Sequence, residues 1–250
     1  MKKIALVTGG ARDIGRGIVE RVAATHAAVA VHANASVDQA DEIVEALTRS
    51  NVEARAFRAD LGLAKDVDRM FDDFDAWVAG LGPAYRFTTL VNNSAVAKAS
   101  PLGATDAETV NAIVDVNVKG TFRVTTAAAS RLADGGRIVS VSMDTHAVFS
   151  PDFALFTATK AAVEALTRHW AAGLGPRGIT VNAVGPGVVE VNFRAEMLND
   201  ADFRSGLEGA TALGRVGRVE DVVDVVDFLL SDAARWITGQ VLVASGGWRL

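Results

Sequence analysis

The chain has 250 residues, of which 50% are hydrophobic and 22% charged, with 25 Lys and Arg against 30 Asp and Glu. So large an apolar fraction can bury a sizeable core, which excludes a mainly disordered chain. The absence of cysteine excludes disulfides, zinc-thiolate sites and thiol nucleophiles, and a net charge of −5 argues against nucleic acid as the main partner.

Short β-branched runs alternate with helical periodicity along the chain. Strands are expected near Ile4–Val7, Ala28–His32, Ala54–Arg58, Thr89–Asn92, Arg137–Val141, Thr180–Val184 and Val241–Ala244. Helices are expected near Ile14–Ala24, Val37–Arg49, Val67–Ala79, Asp106–Leu132, Ala158–Gly173 and Val219–Leu230. This alternation predicts βαβ units and one doubly wound α/β domain over residues 1–250, with a parallel sheet of about seven strands and helices on both faces. Val7, Val91, Val139 and Val181 stand in nearly continuous apolar runs, as strands covered on both faces require. The least regular stretch, near residues 188–214, contains Phe193, Met197 and Phe203 and follows a strand end, where a substrate-covering lid is expected. No apolar run is long enough for a membrane helix. The first residues run directly into a strand without a signal-type apolar region, so a cytoplasmic protein is expected.

The first strand is followed by Thr8-Gly9-Gly10-Ala11-Arg12-Asp13-Ile14-Gly15 and then a helix. Glycines permit a tight turn and a close approach to a pyrophosphate, and the helix start offers free N–H groups and a positive dipole end. Strand, turn and helix in this order are the context a dinucleotide site requires. An NAD site carries an Asp or Glu at the end of the second strand. Here that strand ends Val31-His32-Ala33-Asn34-Ala35-Ser36, without an acid, while Arg12 stands in the turn. Both features favour NADP(H) over NAD(H), with Asn34 at the adenosine end.

Further elements follow in an ordered series: Asp60-Leu61, Asn92-Asn93-Ser94-Ala95, Asn117, Lys160, Asn182 to Pro186-Gly187, Gly214-Arg215, Ile237-Thr238-Gly239 and Gly246-Gly247. With the glycine turn, these resemble the short-chain dehydrogenase/reductase family over essentially the whole chain. The resemblance implies a Rossmann fold, a nicotinamide cofactor and a homotetramer. It implies that Gly9, Arg12, Asp13, Ile14 and Gly15 surround the phosphates, and that Asp60 and Leu61 flank the adenine. It places Asn92, Pro186 and Gly187 beside the cofactor, and gives Lys160 the nicotinamide ribose.

The departures from the family pattern matter as much. The family works with an Asn, a Ser, a Tyr and a Lys. Asn117 and Lys160 are present, but the Tyr-x-x-x-Lys segment reads Phe156-Thr157-Ala158-Thr159-Lys160. The Ser run reads Ile138-Val139-Ser140-Val141-Ser142-Met143, so Met143 takes the Ser position. A phenol beside a lysine ammonium protonates the alkoxide left by hydride transfer to a ketone; Phe156 has no such proton. Tyr85, the one tyrosine, precedes the fourth strand, away from the carboxyl ends where ligands bind. His146, Asp144 and Ser142 are the candidate proton donors, and His146 has the best ordinary pKa. Asp13 replaces the middle glycine of the phosphate turn and is expected to point away, for example to Arg12 or Arg16. With Val191 after Pro186-Gly187, the nicotinamide pocket reads as apolar and suits a flat or aromatic small molecule.

The four histidines show no metal-ligand spacing, the acidic run from Glu220 to Asp227 reads as a solvated helix face, and no serine stands in a nucleophile elbow. The leading expectation is an NADPH-dependent reductase with non-standard proton delivery, acting on an iminium, quinone, polarised C=C bond or substrate-assisted ketone, as in secondary metabolism. An inactive relative that binds NADP(H) or a metabolite as sensor or hetero-oligomer partner is the alternative, and a non-redox cyclase or dehydratase the second.

Overall fold

The structure, a computed structural model, describes residues 1–145, 150–192 and 195–250, and of Met197 the backbone alone. Strands β1 (Lys2–Val7), β2 (Ala28–Ala33), β3 (Glu53–Arg58), β4 (Tyr85–Asn92), β5 (Arg137–Val141), β6 (Thr180–Pro186) and β7 (Val241–Ala244) form one sheet in the order β3-β2-β1-β4-β5-β6-β7. Every neighbouring pair is parallel. Each connection therefore crosses over through a helix, and the helices cover both faces.

The helices are α1 (Asp13–Ala23), α2 (Val37–Arg49), α3 (Ala64–Leu81), α4 (Ala107–Val114), α5 (Thr121–Ala129), α6 (Ala154–Leu174), α7 (Ala195–Leu198), α8 (Ala201–Gly209) and α9 (Val219–Leu230). The period-2 alternation of β1 sends Ala5 and Val7 to one layer and Ile4 and Leu6 to the other. The first layer is closed by Ile18 and Val22 of α1, Ile43 of α2, and Val222 and Leu229 of α9. The second is closed by Met70 and Phe74 of α3, Val124 of α5 and Ala171 of α6. Phe74 is the centre of an aromatic cluster, 4.9 Å from Phe87 and 5.9 Å from Phe57, ring centre to ring centre. No described helix is long and apolar enough to cross a membrane.

The segment expected as one helix over Asp106–Leu132 is instead interrupted. A π-helical turn at Asp115–Gly120 separates α4 from α5. The wider turn lets Asn117 face inward, where Val96 holds its side-chain amide from both sides. Helix α6 also begins earlier than the apolar periodicity indicated, so Phe156 lies in its first turn and Lys160 one turn further on.

The strand order reverses between β1 and β4, and the crevice outside their carboxyl ends is the ligand position of doubly wound sheets. The segment expected as a lid holds α7 and α8, and is tied down at both ends. Val189 pairs with Gly217, and Thr211 pairs with Trp248 near the end of the chain.

Candidate functional site

The glycine turn is built by close approach. A side-chain carbon on Gly15 would lie 2.0 Å from the Gly9 carbonyl oxygen, so only glycine fits there. Gly9 itself is left-handed, with φ of 62°. Its carbonyl accepts from Asn93 Nδ2 at 2.9 Å, and its N–H donates to His32 Nδ1 at 3.1 Å. Thr8 Oγ1 accepts from the N–H groups of Asn93 and Ser94 at 3.0 and 3.1 Å. The ends of β1, β2 and β4 are thus knitted together beneath the turn.

Asp13 takes φ of 50° where a glycine is the easier residue. Its carboxylate does not pair with Arg12 or Arg16 as the sequence reading suggested. Asp13 Oδ1 accepts from the backbone N–H of Asn192 at 3.0 Å, while Arg16 pairs with Glu20. The charge is thereby drawn from the glycine turn toward the segment after β6. No side chain caps the start of α1, and Arg12 is exposed there. Ile14 packs against the first core layer, and Asn34 is exposed just past β2.

At the neighbouring rim, Asp60 Oδ1 accepts from the Gly62 N–H at 2.9 Å, and its own N–H donates to Asp66 at 3.2 Å. Leu61 is buried, and its carbonyl leaves no room for a side chain at Gly120. Asn92 closes β4. Its Nδ2 donates to Thr125 at 2.9 Å and Ser140 at 3.3 Å, while Oδ1 is buried without a partner among the described residues.

The other rim joins β5 to α6. Lys160 is buried, and its Nζ donates to the Val141 carbonyl at 2.7 Å. The Phe156 ring centre lies 5.6 Å from that ammonium, within cation–π range. Burial lowers the Lys160 pKa to about 8. Asn117 Nδ2 donates to Thr159 at 3.1 Å, which in turn donates to the Phe156 carbonyl at 2.7 Å, so the π turn and α6 are fastened at the site.

Of the candidate proton donors, Ser142 and Asp144 are among the described residues. Ser142 Oγ donates to Glu164 at 2.8 Å and Thr145 Oγ1 lies 3.3 Å from the same carboxylate, so Ser142 is turned into the interior. Met143 is buried, and its backbone carbonyl packs directly on Gly185. Asp144 is buried, and its N–H donates to the Pro186 carbonyl at 2.9 Å, which places it beside Pro186 and Gly187. His146 lies outside the described residues, as does Phe193. Tyr85 begins β4 at the opposite end of the sheet, where its hydroxyl accepts from Lys2 at 3.2 Å. Val191 is half-buried against the first core layer.

Sequence reasoning missed His32, Thr125 and Glu164. All three are buried; His32 interrupts an apolar strand, which was the available signal, whereas Thr125 and Glu164 stand in helices that carry other polar residues and gave none. The residues fit a dinucleotide: the glycine turn, the uncapped start of α1 and the orphaned Asn92 oxygen offer the contacts an anionic, donor-bearing cofactor needs.

Residues 9–249 match the family described as enoyl-(acyl carrier protein) reductase. Over 248 residues the chain is 38% identical to an uncharacterised oxidoreductase of Methylorubrum extorquens, covering 99% of this chain and 98% of that one. The crystal structure of the angucycline C-6 ketoreductase LanV with bound NADP is 35% identical, with a TM-score of 0.91, over 99% of this chain and 95% of that one. A short-chain dehydrogenase/reductase from Serratia marcescens is 32% identical, with a TM-score of 0.90, over 99% of this chain and 98% of that one. Sheet order, glycine turn and full-length similarity agree: the chain belongs to the short-chain dehydrogenase/reductase family of oxidoreductases.

Proposed function

We propose that the protein is an NADPH-dependent reductase whose substrate is flat and apolar and whose reduced product needs no strong acid. The observation that carries this reading is the pairing of Lys160 with the Phe156 ring at 5.6 Å, where the family pattern has a phenol. Asn117 and Lys160 keep their places, so the groups that bind remain while the usual proton donor is gone. NADPH supplies the hydride. Lys160 and Asn92 hold the cofactor, and Met143, Phe156 and Val191 exclude water and orient the acceptor.

Hydride addition to an isolated ketone leaves a strongly basic alkoxide. Addition to a quinone, an iminium ion or a conjugated C=C bond leaves a phenolate, a neutral amine or an enolate. A phenolate accepts its proton from water readily, since its conjugate acid has a pKa of about 10. A ketone beside its own hydroxyl carries the donor with it. LanV is an angucycline C-6 ketoreductase, and its structure holds NADP. Both points support the flat acceptor and the cofactor. Arg12 in the turn and the lack of an acid after β2 support NADPH over NADH. The exposed Phe228 of α9 and Val243 of edge strand β7 support a homo-oligomer.

The test is titration with NADPH and NADH by nicotinamide fluorescence, followed by oxidation of bound NADPH with a panel of quinones, cyclic imines, enones and simple ketones. NADPH bound at micromolar concentration and oxidised by the conjugated acceptors, not by simple ketones, is the expected result. Failure of every acceptor sinks the reductase reading. A second reading, a non-catalytic binding protein, is favoured by Lys160 and Ser142 both being engaged internally, with Val141 and Glu164. Turnover by the pure homo-oligomer removes it.

A further inference from the structure

One polar side chain interrupts the apolar run of β2, Ala28-Val29-Ala30-Val31-His32-Ala33. His32 is only 1% exposed, yet both ring nitrogens are engaged. The Gly9 N–H donates to Nδ1 at 3.1 Å, so Nδ1 is an acceptor. Nε2 lies 3.1 Å from the Ala59 carbonyl, which can only accept, so Nε2 carries the proton. Ser94 Oγ approaches Nδ1 at 3.4 Å. These contacts specify the neutral ring with hydrogen on Nε2. Burial agrees with that form, lowering the pKa to about 4 despite the upward pull of the Ala59 carbonyl and, less, of Asp60.

The three partners lie just past the carboxyl ends of three different strands. Gly9 begins the phosphate turn after β1, Ala59 opens the Asp60–Leu61 rim after β3, and Ser94 follows β4. A single rigid ring therefore spans the floor of the crevice. Gly9 is the pivot of the turn, and its N–H points down, away from any ligand. Without an acceptor beneath it, that buried donor would be unmet and the turn would be free to shift. We infer that His32 is a positioning residue for the dinucleotide, locking the phosphate turn at a set distance from the adenine rim through its Nδ1 acceptor and Nε2 donor. The inference rests on the NADPH reading above.

The two nitrogens can be tested separately, because the Asn side-chain oxygen reproduces the Nδ1 position and the Gln side-chain amide reproduces the Nε2 position. His32→Asn, His32→Gln and His32→Leu are compared with the wild type by NADPH fluorescence titration. Melting temperature and circular dichroism are recorded without cofactor. His32→Asn is expected to bind NADPH within about threefold of wild type, and His32→Leu at least tenfold more weakly while still folded. His32→Gln falls between them, with the Ala59 tie kept and the Gly9 tie lost. If folded His32→Leu binds as well as wild type, or if His32→Asn is as weak as His32→Leu, the positioning role is overturned and packing alone remains. Should His32→Leu fail to fold, the Asn and Gln pair decides: equal affinities overturn the inference. A wild type that binds no NADPH overturns the cofactor reading itself, a result distinct from the first two.

Discussion

The two rims of the crevice solve different problems. Around β1, β2 and β4, the buried polar groups are tied into a lattice of hydrogen bonds beneath the glycine turn, and Asn92 Oδ1 is buried without a partner among the described residues. Around β5 and α6, Met143 and Phe156 stand where the family pattern has a serine and a tyrosine, and Ser142 and Lys160 hydrogen-bond to Glu164 and to the Val141 carbonyl. On the function proposed above, the first rim holds a charged cofactor and the second keeps water out. Binding and acid–base chemistry are thus separable within one fold, because they depend on different strand ends.

The strongest way to break this contrast is at the binding rim. Gly15→Ala puts a carbon where 2.0 Å separates it from a backbone oxygen that no side-chain motion can relieve. Loss of NADPH affinity by at least roughly a thousandfold, about 4 kcal/mol, is the expected outcome in a titration. Retained affinity would mean the turn is not the phosphate site.

The next effect concerns pH. His26 and His32 are both lowered from 6.5 to about 4, chiefly by burial. Between those values the unfolded chain binds more protons than the folded one, so stability falls as pH drops from 6.5 toward 4. Each imidazole contributes up to about 3 kcal/mol over that window. Urea denaturation at a series of pH values measures the slope, and His26→Gln with His32→Asn should flatten it.

At the second rim, Phe156→Tyr places a phenol one helical turn from a lysine whose pKa is already lowered to about 8. With Met143→Ser, simple ketones should be reduced about a hundredfold faster, the order of a general-acid contribution. Steady-state rates on the same panel check this, and no gain would show that the acceptor binds elsewhere. The smallest effect is expected at Glu164→Leu. It removes the shared acceptor of the Ser142 and Thr145 hydroxyls and leaves Ser142 only the Lys160 carbonyl at 3.4 Å, which should cost about 2 kcal/mol of stability by denaturant midpoint and leave NADPH affinity unchanged.

Much of this was legible beforehand because it depends on local pattern. The β1 run, the glycine turn and α1 are contiguous, so residues 4–24 announce a phosphate-binding unit without reference to the rest of the chain. The absence of a phenol at Phe156 was equally plain, since its spacing to Lys160 is one helical turn. Less legible was anything requiring two distant segments to meet. Ser142 looked like a proton donor until Glu164, on α6, was seen to take its hydroxyl. Asp13 looked like a partner for neighbouring arginines until Asn192 was seen to take its carboxylate. Helical periodicity over Asp106–Leu132 could not reveal the π turn that aims Asn117, because the apolar spacing on either side is ordinary.

By itself, the sequence determined the class of fold and the approximate strand count, since both follow from hydrophobic period and turn chemistry. The tertiary structure alone decided which polar groups are spent on the interior. A side chain's hydrogen-bond partner is set by the packing of separate elements, and the ends of β1, β3 and β4 bring to His32 on β2 residues as far apart as Gly9 and Ser94.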